Sequence, residues 1–254
     1  MTLVKKRILL TGGSGGIGQF VAAALLREGA DLTVLSRTRT DEEVNQPKHV
    51  RADLSTTAGI AQASAIIAAA EPDILINMAG VQYFGPAERQ PLDDLQAGYL
   101  VNLVAPAALC SACLPAMKRR NSGQIVNIGS IFGSIPSANF AAYSSAKSGV
   151  RAFSEALRRE IANTKIAVTY IAPRAVRTGM LTGQLKRYAE LTGMSIDFPE
   201  IISEKIVTAI KQRKKDVYVG FPEKIFVRLN AIFPRLVDAA VAGADRNAST
   251  LFTA

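Results

Sequence analysis

The run Gly12-Gly13-Ser14-Gly15-Gly16-Ile17-Gly18 limits what this chain can fold into more than any other stretch. It directly follows Arg7-Ile8-Leu9-Leu10-Thr11, which reads as a short buried strand. It leads into a segment from Gln19 to Glu28 where Phe20, Val21, Ala24 and Leu25 recur at helical spacing, and Gly29 closes that helix. Strand, glycine turn and helix N-terminus in this order make an anion site. The glycines let the backbone approach a pyrophosphate, and the free N–H groups of the first helical turn point at it. The turn therefore predicts a dinucleotide site in which Gly12, Ser14, Gly16, Ile17 and Gly18 line the phosphates.

The rest of the chain repeats the alternation. A second strand, Asp31 to Ser36, ends where such a fold meets the adenosine ribose. An acid there would hold the 2′-hydroxyl of NAD. Here Ser36 is followed by Arg37 and Arg39, which suits the 2′-phosphate of NADP(H), with NAD(H) the less favoured cofactor. Further strands are expected at His49–Ala52, Asp73–Asn77, Gln124–Ile128, Lys165–Ile171 and Asp216–Val219. Helices are expected over Gly59–Ala70, about Leu92–Lys118, from Tyr143 to about Asn163 and near Pro199–Arg213. Asp53 and Leu54, after the third strand, are candidate adenine contacts. This order predicts a single-domain, Rossmann-type α/β fold over residues 1–254, a doubly wound parallel sheet with helices on both faces. A chain of 254 residues, 48% of them hydrophobic, can bury the core this requires.

Composition narrows the function. The net charge of +9 permits an anionic partner, but aromatic residues are only 6% and no nucleic-acid motif accompanies the charge, so nucleic acid is not an expected partner. Cys110 and Cys113 form a CxxC inside an apolar helical run, where they read as small core or interface residues. His49 is the only histidine, and no metal site is expected. No run long enough for a membrane span and no signal peptide is read, so the expected location is cytoplasmic.

Tyr143-Ser144-Ser145-Ala146-Lys147 sets a phenol and an ammonium one helical turn apart. A phenol that exchanges a proton near neutral pH needs its pKa brought down, and a neighbouring ammonium favours the phenolate. With these residues the chain resembles the short-chain dehydrogenase/reductase family over roughly residues 5 to 220. Thr11-Gly12-x-x-x-Gly16-x-Gly18 is similar to the family's cofactor turn, and Asn77-Met78-Ala79-Gly80 to its Asn-Asn-Ala-Gly stretch. Asn102, Ser130, Tyr143 and Lys147 fall where the family keeps its catalytic tetrad. The segment Pro173-Arg174-Ala175-Val176-Arg177-Thr178 resembles the one that closes over the nicotinamide. Two departures stand out: Met78 replaces an Asn, and Arg174 replaces the usual Gly.

The resemblance implies hydride transfer between NADP(H) and a carbonyl or alcohol. Tyr143 would supply the proton, and Ser130 would hold the carbonyl oxygen. Lys147 would lower the Tyr143 pKa and bond the nicotinamide ribose, and Asn102 would hold a relay water. Asn77, Ala79, Gly80, Pro173, Val176 and Thr178 would contact the cofactor. An NADP-sensing regulator on the same fold is the alternative. The resemblance also places a substrate lid at about residues 179–199, where Met180, Leu181, Leu185, Tyr188, Leu191, Met194 and Phe198 suggest a small hydrophobic substrate. It implies a homodimer or homotetramer that pairs the Leu92–Lys118 and Tyr143 helices. In the C-terminal extension, about 221–254, Glu223 to Val237 reads as one amphipathic helix, with Pro234 as the place for a kink, and a basic edge of Lys224, Arg228 and Arg235. That pattern fits a helix lying on an anionic membrane or one packed over the substrate pocket.

Overall fold

Hydrophobic runs such as Ile8-Leu9-Leu10 and Ile74-Leu75-Ile76 carry no polar side, and strands of that kind belong in a sheet buried on both faces. The computed structural model, which describes residues 1–38, 47–181 and 183–252, places them there. In chain order the strands are β1 (Arg7–Thr11), β2 (Asp31–Ser36), β3 (Lys48–Arg51), β4 (Ile74–Asn77), β5 (Gly123–Ile128), β6 (Ile166–Ala172), the short β7 (Ala175–Val176) and β8 (Ile196–Asp197), and β9 (Asp216–Tyr218). Among the described residues β3-β2-β1-β4-β5-β6-β9 form one sheet, and every adjacent pair is parallel. β7 and β8 pair separately. Arg39 lies outside the described residues.

Alternation along the strands divides the core. Ile8, Leu10, Val34 and Ile76 face one side, which is covered by α1 (Gly16–Arg27), while Leu9, Leu35, Leu75 and Ile125 face the other, covered by α2 (Thr57–Ala70). The remaining helices are α3 (Leu92–Tyr99), α4 (Ala105–Arg119), α5 (Ala141–Glu160), α6 (Gly183–Thr192), α7 (Pro199–Lys211), α8 (Phe221–Ile232) and α9 (Pro234–Ser249). α7 joins α1 on its face; α4 and α5 join α2 on the other. The order reverses between β1 and β4, so the crevice beyond the carboxyl ends of the strands opens there.

Three expectations need correction. First, Leu92–Lys118 is not one regular helix, because a π-turn, Leu100–Val104, separates α3 from α4. Pro106 has no N–H to return to the Asn102 carbonyl four residues earlier, so the regular ladder is broken at this point. Second, the helical run Leu92–Arg119 is, at 28 residues, long and apolar enough to cross a membrane. Leu109, Cys110, Cys113, Leu114 and Met117 on it lie in the core, which accounts for that composition. Third, the segment Glu223 to Val237 is two helices, broken at Phe233. Pro234 cannot donate to the preceding turn and instead opens α9. Of the two readings of this segment's apolar face, packing over the pocket is not what Ile225, Ile232 and Leu236 do, since they are exposed, while Val227 and Val237 point inward.

Candidate active site

The β1–α1 turn is shaped by contacts that exclude side chains. Gly12 has φ +72°, and a Cβ there would come 2.7 Å from the Ala79 Cα. A Cβ on Gly18 would come 2.0 Å from the Gly12 carbonyl oxygen. Gly15, in contrast, faces open space. No side chain among the described residues caps α1; the Gly18 N–H donates to the Gly15 carbonyl (2.9 Å), and the start of the helix before it is left open to an anion. The Thr11 hydroxyl accepts from the Met78 and Ala79 N–H groups (3.0 and 3.1 Å) and fixes β4's exit against the turn. The turn is a cradle open to an anion, and the residues present fit the pyrophosphate of a dinucleotide.

The cradle is one end of a cleft of about 740 Å³. Gly12, Ser14, Gly16, Ile17, Gly18, Ser36, Arg37, Asp53, Leu54, Ala79, Gly80, Asn102, Ser130, Tyr143, Lys147, Pro173, Val176 and Thr178 all line it. Asn77 does not. Its side chain is buried and donates to Asn127 Oδ1 (2.8 Å) and Cys110 Sγ (3.3 Å), so it braces β4 to β5 and α4. The cysteines are core residues; burial pushes the Cys113 thiol up to about 12, and Cys110 shifts the same way.

At the adenosine end, Ser36 Oγ donates to the Thr38 carbonyl (2.8 Å) and lies 2.8 Å from His49 Nε2. Arg37 is exposed at the rim. Asp53 Oδ1 accepts from the Ser55 hydroxyl and N–H (2.7 and 2.9 Å). Those bonds hold the Asp53 carboxyl below its ordinary range, with help from Arg37 and Arg51.

At the opposite end, Ser130 follows β5, Tyr143 and Lys147 lie one turn apart on α5, and Asn102 sits in the π-turn. Lys147 is buried and donates to the Ile128 carbonyl (3.1 Å). Burial pulls its pKa down to about 8. Asn102 Nδ2 donates to the Val81 carbonyl (2.7 Å), and its Oδ1 accepts from the Val81 N–H (3.3 Å). A Cβ on Gly80 would meet both Asn102 Oδ1 (3.1 Å) and Lys147 Nζ (3.6 Å), so these two groups converge on one glycine. Tyr143 departs from expectation. Burial raises its pKa, and among the described residues only the Ser130 hydroxyl opposes the shift. The Lys147 ammonium lies 5.8 Å from the ring centroid.

Arg174, the departure from the family pattern, is held in place. Its guanidinium grips both oxygens of Asp197 (2.9 and 2.8 Å) and reaches Glu223 at the start of α8 (3.0 Å). These bonds push its pKa still higher.

The lid region supplies Met180, Leu181, Leu185 and Met194 to the cleft, but not Tyr188, Leu191 or Phe198. Phe198 lies instead under the Arg177 guanidinium (4.7 Å). Tyr188 packs behind the wall on Phe84 and Phe140 (centroids 5.0 and 5.7 Å). Phe132 and Phe140, 4.9 Å apart, complete an apolar wall beside Tyr143 that the sequence reading missed. Their only local signal was aromatic character near Ser130 and Tyr143. Val81, which lines the cleft and pairs with Asn102, was missed because that partner is distant in sequence.

The short chain dehydrogenase family model matches residues 6–189. The ketoacyl reductase HetN of Nostoc sp. is 32% identical over 233 residues, 86% of this chain and 80% of that protein. A short chain dehydrogenase from Burkholderia cenocepacia, solved in complex with NADP, superposes with a TM-score of 0.80 at 21% identity and covers 95% of this chain and 99% of that one. A 4-hydroxyisoleucine dehydrogenase complexed with NADH superposes with a TM-score of 0.75 at 23% identity, covering 85% and 97%.

Proposed function

This chain belongs to the short chain dehydrogenase family, and from that premise we propose that it is an NADP(H)-dependent oxidoreductase that interconverts an apolar ketone or oxo-acyl compound and its alcohol. The observation that supports this most is the convergence of Ser130, Tyr143, Lys147 and Asn102 at one end of a cleft whose other end is the glycine cradle. A sensor would have no need for that set. The ketoacyl reductase activity named for the Nostoc relative agrees with the reading. In this reading the whole chain is one cofactor-binding unit with a lid at 179–199 and a C-terminal extension. It works as a homodimer or homotetramer joined through α4 and α5.

The nicotinamide, when bound, supplies or accepts the hydride. The remaining tasks fall to the chain. The glycine turn and the α1 N-terminus would hold the pyrophosphate, and Ala79, Gly80, Pro173, Val176 and Thr178 line the cleft beyond it. Ser130 donates a hydrogen bond to the substrate oxygen and stabilises the charge that develops there. Tyr143 gives its proton to that oxygen in reduction. Its raised pKa keeps the proton in place until charge builds on the substrate. Lys147 would hold the nicotinamide ribose, and Asn102 would anchor the route by which the proton is replaced. Phe132, Phe140, Leu181, Leu185 and Met194 exclude water and favour an apolar substrate.

Arg37 supports NADP(H) over NAD(H), because it is a cation at the adenosine end with no carboxylate replacing it at the end of β2. Arg37→Asp is expected to weaken NADPH binding about tenfold or more, since a charge-assisted phosphate contact contributes roughly 1.5–3 kcal/mol. NADH binding should hardly change. Fluorescence titration of both cofactors checks this, and a native preference for NADH would overturn it.

A pH profile tests Lys147. Its ammonium is present below pH about 8 and lost above it. If the ammonium holds the ribose, kcat/KM for NADPH, which reports groups of the free enzyme, stays level below that pH and falls as pH rises through it. Lys147→Met should remove that limb along with most activity. A native profile that stays flat well past this point would exclude the role.

A further inference from the structure

We propose that α8 and the elbow into α9 form a surface that docks on an anionic lipid bilayer. α8 presents its largest apolar side chains to solvent: Phe221 is 78% exposed, Ile225 55% and Ile232 67%. Positions 221, 225 and 232 share one face of the helix. The elbow adds Phe233 and Leu236, at 57% and 58% exposure, so the patch continues past the break. Val227 and Asn230 occupy the opposite face. Val227 is buried, and Asn230 donates to the Ser134 carbonyl (2.8 Å), so the helix is anchored with its apolar side outward.

Charge selects the occupant. Lys224 and Arg228 flank the apolar face along one edge, and Arg235 follows at the elbow; all are exposed and none forms an ion pair among the described residues. Glu223, the only acid in α8, is turned inward to Arg174. The patch is therefore apolar with an unneutralised basic edge, the pattern of an interfacial helix. A second copy suits it poorly. A two-fold interface brings a patch against itself, so two basic edges would enter one interface with no outward-facing carboxylate of α8 to meet them. Anionic headgroups neutralise that edge while the aromatic and aliphatic side chains enter the acyl boundary.

The location gives the docking a use. Glu223 reaches Arg174 in the cleft wall, and Ala248 of α9 packs with Leu185 and Tyr188 of the lid helix. A bilayer held by α8 thus lies against elements that enclose the apolar end of the cleft. An apolar substrate dissolved in lipid would then have a short path to it.

The test is co-sedimentation of the full chain with vesicles of phosphatidylcholine containing about one-third phosphatidylserine, alongside vesicles of phosphatidylcholine alone. Binding to the anionic vesicles at low salt is expected, with loss as salt is raised to about 0.5 M, where exposed charges are screened within a few ångströms. Ile225→Ser with Ile232→Ser, and separately Lys224→Gln with Arg228→Gln, should each weaken binding about tenfold or more. All four positions are solvent-facing and outside the proposed catalytic machinery, so turnover of a water-soluble ketone should be unchanged and serves as the fold control. Absence of vesicle binding by the native chain would overturn the proposal, as would unchanged binding by either variant. If the serine variant instead reduces the particle size in light scattering without vesicles, a second copy covers the face and the proposal fails. Pelleting is read without turnover, so these outcomes do not depend on the proposed reaction.

Discussion

Tyr143→Phe is expected to lower NADPH-dependent carbonyl reduction by about a thousandfold, within the range for loss of a positioned general acid, while NADPH affinity stays within about twofold. The substitution removes only the hydroxyl. The ring stays packed against Phe140, with centroids 6.3 Å apart, so the wall of the cleft keeps its shape. Burial raises the phenol's pKa, so at neutral pH the residue carries its proton and is a donor in the reductive direction. The loss should therefore appear in kcat rather than in binding. Turnover with a panel of ketones and aldehydes, together with a cofactor titration, separates the two. Retention of most activity would remove Tyr143 from its proposed role.

The second large effect is structural and concerns the turn. Gly18→Ala puts a methyl 2.0 Å from the Gly12 carbonyl oxygen, and the object it meets is backbone rather than a movable side-chain tip. Either α1 or the end of β1 must shift. We expect a stability loss of about 2 kcal/mol or more, a drop in Tm of roughly 4–8 °C for a chain of this size, and NADPH binding weakened on the order of a hundredfold. Gly15→Ala is the control. That residue faces open space with extended backbone, φ −157°, so Tm should not move. Gly15 lines the cleft, so the added methyl is expected to affect cofactor binding alone. Equal stability losses in both variants would show that the turn is merely intolerant of side chains and does not discriminate by position.

Legibility in the sequence followed the distance over which each signal acts. β1, the glycine turn and α1 were readable because strand, turn and helix are contiguous and each carries its own period. β2 and β4 to β6 were readable as hydrophobic runs, and their observed bounds differ from the expected ones by no more than a residue. The π-turn was not read, although Pro106 marked it, because its effect falls on a carbonyl four residues earlier rather than on the proline itself. Asn77 was misplaced because its motif position says nothing of Asn127, which lies beside it only once β4 and β5 pair. The Tyr143 pKa was read from one neighbour in the helix, whereas burial by the rest of the fold sets its direction. The tail helix was read as a periodic face, and periodicity does not say which way that face points.

Arg174 has a consequence for anyone recombining this protein with its relatives. It joins three pieces that the chain makes separately: the loop after β6, the short strand β8 through Asp197, and the first turn of α8 through Glu223. Both acids are mostly shielded from water, with side-chain exposures of 14% and 19%. Glycine introduced at 174 alone would strand two carboxylates without a counter-ion, and a borrowed lid lacking Asp197 would strand part of the guanidinium. The three positions thus act as a unit in this chain. The segment around Asp197 or the C-terminal segment can be exchanged only if its partner for Arg174 travels with it.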